Sequence, residues 1–172
     1  SSSVTGVQTC ALPISAAKNV DLEKPVLRID TSVGTITVQL DGIRAPGTVR
    51  NFLNYANEGF YENTLVHYVD PGKMVVAGGY STDHKPKPAR TPIRNEAHNG
   101  VKNVRGTIAM ARTSDANSAT SQWFINLADN GGPPNNLDTQ NGGFTVFGRV
   151  LGDGMTVCIH YKFVAAKGGS QN

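Results

Sequence analysis

The sequence predicts a mainly β, single-domain fold, a closed or nearly closed barrel of short strands with few helices, and three observations carry the prediction. Short apolar runs recur at residues 65–69, 74–77, 107–111, 122–127 and 145–150, separated by loops rich in Gly, Pro, Asn and Asp. One early stretch alone has clear helical periodicity. Finally, 172 residues with 38% hydrophobic and 17% charged side chains, 19 Gly and 9 Pro suit one well-buried, loop-rich core, whereas two cores would each be marginal.

Residues 1–19 have no periodicity, and Ser-Ser-Ser-Val-Thr-Gly-Val-Gln-Thr-Cys-Ala-Leu-Pro-Ile-Ser resembles translated linker or adapter text. They are expected to be a non-native or disordered leader outside the fold, without the basic start and continuous apolar middle of a signal peptide. The domain is placed at 24–157. Val26-Leu27-Arg28-Ile29-Asp30 leads through Ser32-Val33-Gly34 into Thr35–Leu40, where Ile36, Val38 and Leu40 alternate with polar residues, which reads as a hairpin with one buried face. Helical spacing then sets Val49, Phe52, Leu53 and Ala56 on one stripe, with Pro46 in the first turn and Gly59 past the end.

The end of the chain reads both ways. Gly152 to Met155 looks like a helix start, but Val157, Ile159, Tyr161 and Phe163 alternate as in a strand; helix is preferred on the resemblance given below. Residues 158–172 are expected to be an atypical, truncated tail. The barrel's last strand is then missing, and the Val26 strand keeps an unpaired edge.

Charge and cysteine content exclude several functions. The net charge is +3, and Lys and Arg are scattered except in His84-Lys85-Pro86-Lys87-Pro88-Ala89-Arg90, a pattern of solvated loops, so no nucleic-acid partner is inferred. Cys10 and Cys158 have no metal-site or redox spacing, and nothing supports a disulfide between them. No apolar stretch approaches the roughly 18 residues of a membrane span. Glu96 lacks a paired carboxylate for glycosidase chemistry.

Two blocks are more specific: Asn95-Glu96-Ala97-His98-Asn99-Gly100 through Arg105-Gly106-Thr107-Ile108-Ala109-Met110-Ala111-Arg112-Thr113, and Ser118-Ala119-Thr120-Ser121-Gln122-Trp123-Phe124-Ile125-Asn126. With Ala45-Pro46, Asn51-Phe52, Gly59-Phe60-Tyr61 and Val146-Phe147-Gly148-Arg149-Val150 in order, residues 26–157 resemble the bacterial cyclophilins. The resemblance implies an eight-stranded antiparallel β-barrel capped by two helices, rotation about the peptide bond preceding proline, and no cofactor or metal. It implies proline-containing peptides and unfolded proteins as partners, and a monomer. Its compartment, periplasmic or cytoplasmic, stays open.

That reaction breaks no covalent bond; its barrier of about 18–20 kcal/mol is amide resonance. A catalyst must favour the twisted amide with an apolar grip on the proline ring and a donor aimed at the prolyl nitrogen, whose lone pair appears as resonance is lost. The resemblance places the grip at Met74, Phe124 and Leu137 with Phe144 at the rim, and a peptide groove at Gln122, Ala111 and Arg112. The family's Phe-His-Arg-Val, Phe-Met and Gln-Gly-Gly appear here as Val66-His67-Tyr68-Val69, Lys73-Met74 and Val76-Ala77-Gly78-Gly79. Tyr68 thus replaces the catalytic arginine, Lys73 a pocket phenylalanine and Val76 a carbonyl-binding glutamine. A neutral O–H is a weaker donor than a guanidinium, so weakened isomerase activity is expected, with a non-catalytic proline-peptide-binding module as the alternative.

Blander roles are assigned beside these. Without the resemblance, Phe124, Met74 and Leu137 would read as core. Trp123 faces the opposite side of its strand from Phe124 and is assigned to the barrel core. His67 is structural, since isomerisation needs no proton transfer, and His98 and Asn99 fix loop turns. Gly78 and Gly79 permit close backbone approach. Asn136 stands where some members carry a ring-stacking tryptophan, which argues against tight cyclosporin binding.

Overall fold

The structure, a computed structural model, describes residues 3–9 and 23–159. Eight strands form a closed antiparallel barrel: β1 (Ser3–Thr9), β2 (Val26–Thr31), β3 (Gly34–Leu40), β4 (Thr64–Asp70), β5 (Met74–Ser81), β6 (Thr107–Met110), β7 (Trp123–Asn126) and β8 (Val146–Leu151). Around the barrel they follow the order β1, β2, β3, β8, β6, β7, β5, β4. Helix α1 (Pro46–Asn57) lies between β3 and β4, and residues 154–159 are helical.

Period-two alternation explains where each side chain goes. Leu27 and Ile29, Ile36, Val38 and Leu40, Ile108 and Met110, and Trp123 and Ile125 all point into the barrel and are buried with Phe147 in one core. Helix α1 adds Val49, Phe52, Leu53 and Tyr55 to it, as its 3.6-residue stripe requires. The Phe52 ring lies 5.1 Å from Tyr61, 5.3 Å from Phe147 and 6.4 Å from Trp123. Trp123 is therefore core, as its strand position implies.

Ala45 at the helix N-cap supplies no side-chain bond to the first turn. The Glu96 carboxylate does so from 48 residues away: it accepts the Thr48 N–H and hydroxyl, each at 2.7 Å, and the Gly47 N–H at 3.3 Å. A negative group at the positive end of a helix is favourable on dipole grounds as well. The same cap pins the 95–99 loop to α1.

The bare edge expected on the Val26 strand is not found. Strand β1 runs antiparallel along β2, with Val7 opposite Ile29 and Gln8 opposite Arg28, and reaches β4 where Ser3 faces Leu65. Ser3–Thr9 thus belongs to the barrel although its sequence has no strand periodicity. The physical reason is that ladder pairing uses backbone N–H and C=O groups, which any extended segment can offer to an open edge. At the other end, Cys158 is buried in the core on the helical stretch, which favours the helix reading through residue 159. The rest of the expected leader and tail, residues 1–2, 10–19 and 160–172, lies outside the described residues.

Candidate active-site groove

The outer face of the sheet carries a second, smaller apolar cluster. Val76, Ala109, Phe124, Leu137 and Val146 are buried there, with Met74, Val101, Ala111 and Phe144 partly buried around them. The strand register produces it: Tyr68 pairs with Val76, Val76 with Phe124, Phe124 with Ala109, and Ala109 with Val146. Directly opposed residues share a face, so these five side chains form one row across five strands. Tyr68 and Phe124 are two strand spacings apart, about 10 Å.

Two loops complete the depression. The Leu137 N–H donates to the Asn130 carbonyl at 2.9 Å, and the Phe144 N–H donates to the Leu137 carbonyl at 2.8 Å. Phe144 meets the Phe124 ring edge-on at 5.9 Å. The Arg112 guanidinium lies 4.2 Å over the Phe144 ring and donates to the carbonyls of Gly143, Asn141 and Gln140. Desolvation pulls the Arg112 pKa below its ordinary value, against the attraction of Asp115. Its side chain therefore shapes the rim of the groove.

Beneath these loops is a buried polar network that no sequence motif announces. Asn126 donates to Asn103 Oδ1 at 3.2 Å and Thr107 Oγ1 at 2.9 Å, and Asn130 donates to Asn126 Oδ1 at 2.8 Å and the Lys73 carbonyl at 2.9 Å. Asn103 donates to Asp138 Oδ1 and to the Phe144 carbonyl. Buried amides satisfied this fully lock the loops that carry Leu137 and Phe144. Asn103 and Asn130 lie on loops and Asn126 ends β7, with no periodicity among them, so no sequence signal could have found them.

At one flank, Ala111, Arg112, Thr113, Ser118, Thr120 and Gln122 line a cleft of about 220 Å³. The Gln122 stem lies against β5, where a Cβ on Gly79 would come within 2.4 Å of it; glycine is required for that approach. Gly78, with φ +88, likewise makes room for Trp123. At the other flank, Lys73 lines a polar cleft of about 510 Å³ with residues of the 134–140 loop.

Tyr68 is 53% exposed, and neither its hydroxyl nor the Gln122 amide is bonded to any described residue. Both are available to a bound chain. His67, beside Tyr68, packs its ring 4.6 Å from Tyr80, and desolvation lowers its pKa, keeping it neutral. Glu96 caps α1, and Asn99 bonds the Val146 carbonyl and the Val101 N–H, a loop-fixing role; His98 is exposed. The structure thus gathers Tyr68, Val76, Phe124, Leu137, Met74, Ala111, Phe144, Arg112 and Gln122 around one groove, with Lys73 at its flank.

The outer face of the barrel thus carries a groove that is apolar at its floor and polar at its flanks. The model of the cyclophilin type peptidyl-prolyl cis-trans isomerases matches residues 26–168, and this chain belongs to that family. It is 50% identical over 125 residues to peptidyl-prolyl cis-trans isomerase A of Dickeya dadantii, across 72% of this chain and 64% of that protein. To peptidyl-prolyl cis-trans isomerase B of Escherichia coli it is 46% identical, across 78% of this chain and 82% of that protein. The fold is shared with a cyclophilin of Hirschia baltica, at a TM-score of 0.67 and 18% identity, over 81% of this chain and 68% of that one. It is shared too with a cyclophilin type isomerase of Cryptosporidium parvum crystallised in the presence of the dipeptide Ala-Pro, at a TM-score of 0.62 and 23% identity, over 78% and 84% of the two chains.

Proposed function

We propose that the groove binds Xaa-Pro segments of flexible or unfolded chains as a monomer and isomerises them slowly. The row Tyr68, Val76, Phe124, Ala109, Val146 carries this reading. A proline ring set on Phe124, between Met74, Leu137 and Phe144, exchanges hydration for apolar contact. The Gln122 amide holds the neighbouring peptide group. Tyr68 then offers its O–H to the prolyl nitrogen as the amide twists, an interaction made in the transition state and absent from the planar ground state.

The neutral phenol and the absence of a side-chain donor at Val76 favour a second reading, a module that binds proline segments without turnover. Exchange NMR on an acetylated Ala-Pro peptide separates the two. Cis/trans exchange peaks together with shifts of Gln122, Ala111 and Phe144 support the isomerase; shifts without exchange support the binding module. A peptide that perturbs neither set of resonances overturns both.

A further inference from the structure

We propose that Lys73 makes this groove selective for a carboxylate placed immediately after the proline, either an Asp or Glu side chain or the free C-terminus of the proline itself. The inference rests on the proline-binding reading above. Lys73 and Asn136 directly precede Met74 and Leu137, two residues that wall the apolar depression, and the Lys73 carbonyl and the Leu137 N–H both bond Asn130, which holds the cleft they line beside it. Pro134, Asn135, Asn136, Thr139 and Gln140 complete that cleft, and Lys73 is its one charged residue.

The ammonium is unspent: among the described residues no carboxylate lies within ion-pair distance of it. Its backbone, by contrast, is fixed, because the Lys73 carbonyl accepts from the Leu127 N–H at 2.8 Å and from Asn130 Nδ2 at 2.9 Å. The other cation beside the depression, Arg112, is engaged by the carbonyls of the 140–143 loop. Asp138, the one acidic residue of the 134–140 loop, bonds Asn103 and lies 3.8 Å from the Lys102 ammonium, and Asp70, whose carbonyl accepts the Lys73 N–H at 3.0 Å, makes no ion pair with the Lys73 ammonium. An anchored lysine with a free charge, among neutral amides and hydroxyls that can donate to the same anion, suits a carboxylate and repels a basic residue at that position.

The test compares four peptides with the full chain: acetyl-Ala-Ala-Pro followed by Glu-Ala-amide, Gln-Ala-amide or Lys-Ala-amide, and acetyl-Ala-Ala-Pro with a free carboxylate. A partly exposed ion pair predicts that wild type binds the Glu peptide about two- to fivefold more tightly than the Gln peptide, and the Lys peptide more weakly still. The ratio falls to one in Lys73→Gln and in 0.5 M salt, and Lys73→Glu reverses the Glu-over-Lys preference. A gain confined to the Glu peptide identifies the side chain as source; a gain confined to the free carboxylate identifies the terminus. Equal binding of all four by wild type, or a Glu preference that survives Lys73→Gln, overturns the inference while leaving the groove intact. Binding of none overturns the groove reading and this inference together.

Discussion

Replacing Tyr68 with arginine tests the account of the donor most directly. The position is 53% exposed on the outer row, so the change is expected to leave stability within about 0.5 kcal/mol. Removing a donor from a preorganised site costs about 100- to 1,000-fold in rate, or roughly 2.7–4 kcal/mol. A neutral O–H retains about half the strength of a charge-assisted bond, so half of that is recoverable. Tyr68→Arg should therefore raise kcat/KM by about 10- to 30-fold. Tyr68→Phe should lower it below wild type with little change in peptide affinity, since the interaction is made in the transition state. Exchange NMR on the Ala-Pro peptide reads all three proteins at one temperature and salt concentration. Equal rates for wild type and Tyr68→Phe would refute the phenol as donor, and an arginine variant no faster than wild type would refute the assignment of this position to the prolyl nitrogen.

Three further outcomes concern the stability of the barrel and its loops. Glu96→Ala removes the carboxylate that accepts three bonds from the start of α1, and should cost about 1–2 kcal/mol, seen as a drop in Tm of roughly 2–8 °C; an unchanged Tm would deny it the capping role. Asn126→Ala takes away the donor to buried Asn103 Oδ1 and one of the two acceptors of Asn130 Nδ2, and should cost about 1–3 kcal/mol while broadening the resonances of Leu137 and Phe144; sharp resonances would show that the loops hold without the network. Burial pushes the Cys158 thiol up to about 12 from 9.0, so above pH 9 the unfolded chain loses a proton that the folded chain keeps, and stability falls as pH rises toward 12. The stability advantage of wild type over Cys158→Ala should accordingly shrink between pH 8 and pH 10.5 in urea titrations; a constant gap would contradict the assignment.

Periodicity determined much of the architecture: the alternation in 35–40, the helical stripe from Val49 to Ala56 and the runs that became β4 to β8 are local patterns, legible because each buries one face. The residues around the groove were legible from their resemblance to a known family, and the opposite facing of Trp123 and Phe124 follows from strand geometry alone. Tertiary structure decided the rest. Register between strands distant in sequence put Tyr68, Val76 and Phe124 in one row. The capping of α1 by Glu96 and the network joining Asn103, Asn126, Asn130 and Asp138 depend on side chains brought together by loop closure, which leaves no mark in a linear pattern. Strand β1 shows the same limit from the other side, since backbone pairing to an open edge depends on which edge is within reach, and that is fixed only when the barrel has folded.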